Sequence, residues 1–252
     1  NVSFGYGHEH ITFALANHQA ICYRLVRKNK AWYLFVTTNA ASAPITTKRA
    51  LGAIGIDLNA SHIAFAEIDH FGNLIYFGNI PTPIRDCRKD QAKAILSDAI
   101  SQIIDYAKEK QKPVVVEDLD FSKKKTRLRE HGTRYRRMLS FFAYSLFFLL
   151  IVSKAARSGV EIITKNPAYS SFIGKCKFMN LFGISIHLAA SFVLARRGLR
   201  FSERLSANYA PALAEHKAGH VWRLWNSLKK AVSNRELSVG STPRRPCPSG
   251  FG

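Results

Sequence analysis

The sequence predicts an α/β domain, a mixed sheet with flanking helices, preceded by part of a small β-domain. Three observations carry this. Residues 51 to 80 hold three apolar stretches separated by turn-forming residues. Beyond them, segments with helical spacing alternate with short β-branched runs. Before them, residues 9 to 38 alternate apolar and polar side chains about a basic turn. With 252 residues, 47% of them hydrophobic and 12% aromatic, there is material for a real core.

At the start, "HITFALANHQ" and "AWYLFVTTNA" flank the turn "RKNK" and are expected to be antiparallel strands. "ASAPITTKRA" serves as a linker. "LGAIGIDLNASHIAFAEIDHFGNLIYFGNI" then gives three strands in a meander, with "LNAS" and "DHFGN" as turns. From 86 to 110, Ala92, Leu96, Ala99, Ile103 and Tyr106 recur at helical spacing among charges, which predicts an amphipathic helix. "PVVVEDLD" is a buried strand ending in acids, followed by a basic stretch and a long helix to about Arg157. "GVEIITKNP" is a further strand and "GISIHLAASFVLARRG", 183 to 198, a further helix. Three antiparallel strands followed by alternating helices and parallel strands form the layout of a ribonuclease-H-like domain. The tail after Ser206 holds one more helix, "EHKAGHVWRLWNSLKKAVSN", and ends in a turn-rich stretch expected to be disordered.

Composition narrows the function. There are 37 Lys and Arg against 17 Asp and Glu, a net charge of +20, which points to DNA or RNA as partner. An anionic membrane surface is the competing reading. The apolar run "MLSFFAYSLFFLLIV", 138 to 152, is too short to span a bilayer, which takes about 20 apolar residues. The four cysteines are dispersed without a CxxC pair, so reduced thiols and no zinc are expected. The chain starts at Asn1 in mid-pattern, as a fragment of a longer protein does, and the lack of an export signal favours a cytoplasmic, nucleic-acid-associated location.

Two acids stand out. In "AIGIDLN", Ile54, Ile56 and Leu58 share one face of the strand while Gly55, Asp57 and Asn59 share the other. Asp57 alone is read equally well as the cap of the turn that follows it. Glu117 ends the run "VVVE", at the carboxyl end of its strand, where open α/β sheets place ligands. Two carboxylates from adjacent core strands can share a divalent cation, Mg²⁺ or Mn²⁺, and a pair of such ions is the nuclease arrangement for splitting a phosphodiester. Directly after Glu117 come Lys123, Lys124, Lys125, Arg127, Arg129, Arg134, Arg136 and Arg137. A charge run is usually a solvated face; one this unbalanced beside a phosphate-cleaving site is better read as a track for nucleic-acid backbone, without sequence specificity. In the helix from 183, Ser185 is a candidate N-cap. Ile186, Ala189, Ala190 and Val193 are expected on one apolar face, with His187, Ser191 and Leu194 opposite. A histidine there is read on its own as a hydrogen-bonded core residue. Arg196 and Arg197 either answer the helix dipole or touch phosphate.

Taken in order, "GIDLN", "VVVEDLDFSKKK", "GVEIITKNPAYSS" and "HLAASFVLARRG" resemble the RuvC-like nuclease domain of the insertion-sequence OrfB, or TnpB-like, transposase family, over roughly residues 50 to 205. The resemblance implies an RNA-guided, Mg²⁺-dependent DNA endonuclease, encoded by a transposable element and serving transposition. The family's first acid falls on Asp57 and its second on Glu117. The resemblance further implies a domain plan: residues 1–46 as the end of an oligonucleotide-binding-type β-domain, 47–205 as the nuclease domain, and 206–252 as a C-terminal helix and tail. Two departures stand against it. Members commonly carry a CxxC zinc ribbon where "FIGKCKFMNLFG" has only Cys176, and an Asp in the last helix where "SIHLAAS" has His187. Some RuvC-type sites are similar in using histidine there, so His187 is the candidate third metal ligand, giving a weaker site tilted towards Mn²⁺. The alternative reading is a nucleic-acid-binding remnant with weakened or lost catalysis.

Overall fold

The computed structural model describes residues 3–39, 42–59, 61–84, 87–118, 134–205 and 221–239, with side chains 134–142 and 233–239 not described. The chain divides into two compact units, Asn1–Pro44 and Ile45–Gly252.

The first unit corrects one expectation. "HITFALA" belongs to a helix, α1 (His8–Ala16), and the strand paired with β2 (Ala31–Thr38) is β1 (Ile21–Lys28). A short apolar run does not distinguish helix from strand by period. Here "ICYRLVRK" takes the hairpin position because Asn29 and Lys30 both adopt left-handed φ, 51° and 64°, and close a two-residue turn whose twist matches the strands. His18, also left-handed, separates α1 from β1.

The second unit is a five-stranded sheet in the order β5-β4-β3-β6-β7, comprising β3 (Ala53–Leu58), β4 (His62–Ile68), β5 (Leu74–Pro81), β6 (Val114–Glu117) and β7 (Ile162–Lys165). The first three form the antiparallel meander; β6 runs parallel to β3, and β7 parallel to β6. Asp69 closes the β4–β5 turn by accepting the Asn73 backbone N–H at 2.8 Å. The ribonuclease-H-like mixed α/β layout predicted from the sequence is therefore present.

Helices cover both faces. Ile54, Ile56, Leu58, Ile63, Val114 and Val116 pack against α2 (Lys89–Glu109) and α3 (Arg134–Ser158). Ala53, Ala64, Ala66, Val115 and Ile163 pack against α4 (Ile186–Gly198) and the Trp225 side of α5 (Val221–Val239). The expected start of α5 at 215 falls outside the described residues. Helix α4 differs from its predicted two-faced form. Residues 188 to 195 are buried all round, because the sheet lies on one side and the helical segment Ser170–Phe182, turned by 108° from α4, on the other. That segment, with Cys176, takes the place in the sequence where the resembled family commonly carries a zinc ribbon. Among the described residues no single helix is long and apolar enough to cross a membrane.

Small residues set how closely α4 approaches. A Cβ on Gly55 would lie 2.0 Å from the Ser191 carbonyl oxygen and 2.5 Å from the Ala195 amide nitrogen, so strand and helix touch backbone to backbone. At the far end, Gly198 leaves room for the Val115 side chain, whose Cγ2 would lie 2.3 Å from an added Cβ. Two residues along a strand advance about 6.6 Å, and one turn of four helical residues about 6 Å. The contact at Gly55 and Ser191 therefore brings Asp57 to the level of His187.

Candidate active site at the carboxyl end of the sheet

Asp57 is the penultimate residue of β3, 7% exposed, on the face that meets α4. Its Oδ2 accepts a hydrogen bond from the Asn59 amide at 3.1 Å and lies 3.0 Å from Nδ1 of His187. Asn59 also donates to the Asp57 carbonyl at 3.3 Å, so the acid is held by the turn it opens as well as by the helix. The His187 side chain is 42% exposed, and with Nδ1 on Asp57 its Nε2 is the nitrogen left for another partner. Ser185 caps α4, accepting from the Leu188 amide at 3.3 Å, which fixes the turn that carries His187.

Burial pushes the Asp57 carboxyl above the ordinary carboxylate range. The Asn59 and His187 hydrogen bonds and the nearby His187 and His62 rings pull it back only in part. The His62 ring packs edge-on against His187, centroids 5.3 Å apart, and His62 Nδ1 lies 3.1 Å from Ser61 Oγ. Pattern alone did not single out His62. The signal was present in the meander, since a short turn after Asp57 must return the next strand beside it, and the Asn59 backbone N–H indeed donates to the His62 carbonyl at 2.9 Å.

Glu117 ends β6. The pairing of Ile54 with Val114 and Gly55 with Val115, carried two residues further, sets Glu117 alongside Asp57 on neighbouring parallel strands. Both negative charges reach the Tyr144 hydroxyl on α3, which donates to the Leu58 carbonyl at 2.7 Å. Burial, then Glu117, then Asp57, push that phenol up to about 12. Tyr144 was not legible in the sequence, because the register of α3 depends on how the chain returns after residue 118. The structure thus joins Asp57 to His187 directly and brings Glu117 to the same end of the sheet. Among the described residues no group of three His, Cys, Asp or Glu is already gathered to hold a metal ion.

The two arginines closing α4 have internal partners. Arg196 is ion-paired to Glu203, donates to the Gly72 carbonyl at 2.5 Å and lies over the Phe201, Phe192 and Phe178 rings. Arg197 donates to the Asn166 and Ala168 carbonyls at 2.8 Å. Lys123, Lys124, Lys125, Arg127 and Arg129 lie outside the described residues. Arg134, Arg136 and Arg137 lie on α3 with side chains that are not described.

No protein-family model and no curated protein matches the chain. Among solved structures it is similar to T. thermophilus RuvC in complex with Holliday junction substrate, at 14% identity and a TM-score of 0.42, over 57% of this chain and 90% of that one. The fold assignment rests on the strand order itself.

Proposed function

We propose that this chain is a metal-dependent DNA endonuclease, the nuclease part of a TnpB-like transposon protein. One observation carries the reading: among the described residues a buried carboxylate, Asp57, has an amide and an imidazole for partners rather than a lysine or arginine, at the end of a core strand whose parallel neighbour ends in Glu117. A buried acid whose charge is only partly answered favours a cation beside it. Asp57 and Glu117, with His187 as nitrogen donor, are the residues that would hold Mg²⁺ or Mn²⁺. Water and phosphate oxygens are the remaining ligands such ions usually keep. When bound, the metal supplies an activated water and a counter-charge for the leaving oxygen.

The chain's own groups do the rest. Asn59 fixes the Asp57 carboxylate, Asp57 fixes the His187 ring, and the basic run from Lys123 to Arg137 holds the phosphate backbone. The sequence resemblance supports the finer reading, an RNA-guided enzyme with residues 1–46 as part of an oligonucleotide-binding-type domain. In the full-length protein with its RNA, target DNA is expected to be cut in Mg²⁺ or Mn²⁺ and left intact by Asp57→Ala. Cleavage undiminished in that variant overturns the assignment.

The second reading, a nucleic-acid-binding remnant, is favoured by the Asp57–His187 contact, which puts an uncharged-capable ring where a third carboxylate is expected. It gains if the protein binds guide and target without cutting and His187→Asp does not restore cleavage.

A further inference from the structure

Beside β7, a cleft of about 300 Å³ is lined by Lys165, Asn166, Arg197, Ser202, Trp222 and Trp225, among others. We propose that it is a subsite for one unpaired nucleotide of single-stranded DNA, the base stacking on Trp222 and the phosphate held by Lys165. The inference deepens the nuclease reading and rests on it only for the role of that nucleotide, as part of the strand presented to Asp57 and Glu117.

Position is the first argument. Lys165 is the register partner of Glu117, one strand further along the sheet and on the same face as Ile163 and the α4 side. The cleft therefore continues the row Asp57, Glu117, Lys165 across the carboxyl ends of β3, β6 and β7, in steps of about 4.8 Å. A strand lying along that row passes from the two acids into the cleft.

Construction is the second. Trp225 is fully buried and its indole donates to the Glu203 carbonyl at 2.7 Å, which makes a fixed floor. Trp222 is 39% exposed, braced edge-on by Tyr169 at 6.5 Å. The Arg197 guanidinium lies 5.9 Å from the Trp222 ring centre, pinned by its two backbone carbonyls, so its charge cannot swing away. An aromatic surface that is rigid before the ligand arrives is what base stacking needs, and stacking tolerates any base.

Charge is the third. The one acid in the lining, Glu203, has both carboxylate oxygens engaged, Oε2 by Lys177 at 2.6 Å and Oε1 by Arg196. Lys165 makes no ion pair among the described residues. The cleft therefore presents net positive charge beside an aromatic plane, and its volume admits a base but not a duplex.

The test uses the full-length chain in EDTA, so that binding is read without metal or cleavage. A thymidine oligonucleotide and a duplex of equal length are titrated by fluorescence anisotropy. Trp222→Ala is expected to weaken the single strand on the order of tenfold or more while the duplex stays within about twofold. Lys165→Gln is expected to weaken it less, and Trp222→Phe to retain most of the affinity. In a Trp32→Phe chain, the oligonucleotide is expected to quench indole fluorescence, with the quenching lost on Trp222→Ala. An unchanged single-strand affinity, or equal losses for single strand and duplex at an unchanged melting temperature, overturns the subsite. A chain that never cuts DNA yet shows the Trp222 effect keeps the subsite and loses the nuclease. A chain that cuts while Trp222→Ala binds like the parent does the reverse.

Discussion

Two acids on adjacent strands of one sheet, Glu67 on β4 and Asp57 on β3, are 4% and 7% exposed, and their surroundings differ in kind. Glu67 faces α2, where it is ion-paired to buried Lys112 and accepts from the Tyr106 hydroxyl, while Lys112 also donates to the Ile68 carbonyl at 3.1 Å. That is a closed polar cluster with a fixed cation, and the carboxylate in turn pushes the Tyr106 phenol up, after burial itself. Asp57 faces α4, and its hydrogen-bond partners among the described residues are Asn59 and His187. An acid with a built-in lysine is part of the scaffold, whereas one whose neighbours answer its charge only in part is what the proposed cation site needs. Sequence neighbourhood does not separate the two, since both sit in apolar strands of similar composition.

The contrast can be broken most forcefully at Glu67. Glu67→Ala leaves Lys112 buried without its anion and is expected to cost about 3–5 kcal/mol in urea unfolding. A cost under about 1 kcal/mol removes the claim that this cluster fastens β4 to α2. Next in size is Gly55→Ala, which drives a methyl group into the Ser191 carbonyl. A loss of about 1–3 kcal/mol is expected, with α4 displaced and the His187–Asp57 contact opened. Nitrogen chemical shifts of the His187 ring check the second part, and an unmoved ring with a lowered melting temperature confines the effect to packing.

The smallest effect has the opposite sign and lies at Asp57. Its folded carboxyl holds its proton more tightly than the ordinary value of 3.8. The native state thus binds more protons than the unfolded one in the window above 3.8, so stability falls as pH rises through it, and the cost is absent below that window. Asp57→Asn removes the cost. It is expected to melt above the parent at pH 7 in EDTA and to converge with it below the ordinary carboxylate range. Added Mn²⁺ is expected to raise the parent's melting temperature and leave the Asn variant unmoved. A variant that melts lower at pH 7 than its parent contradicts the poised-acid reading.

Much of the second unit was legible. The alternation in "AIGIDLN" puts Ile54, Ile56 and Leu58 on one face and Asp57 on the other, and the packing of β3 follows that division. Helix α2 was visible from its spacing, and Ser185 from its place before an apolar run. Other elements were not. The hairpin of the first unit depended on which of two short apolar runs could use the left-handed turn at Asn29 and Lys30. The two-faced expectation for α4 failed because periodicity counts apolar residues and does not know how many layers will cover them.

From its residues alone the chain determines the period of each segment, the face each acid occupies and the excess of positive charge, because these depend on neighbours a few positions away. Only the tertiary structure decides that His187 reaches Asp57, 130 positions earlier, and that Glu117 stands at the same end of the sheet. The reason is physical: the meeting needs α4 seated directly on the backbone of β3, and that depends on the absence of a side chain at Gly55 together with the carbonyl of Ser191 arriving opposite it.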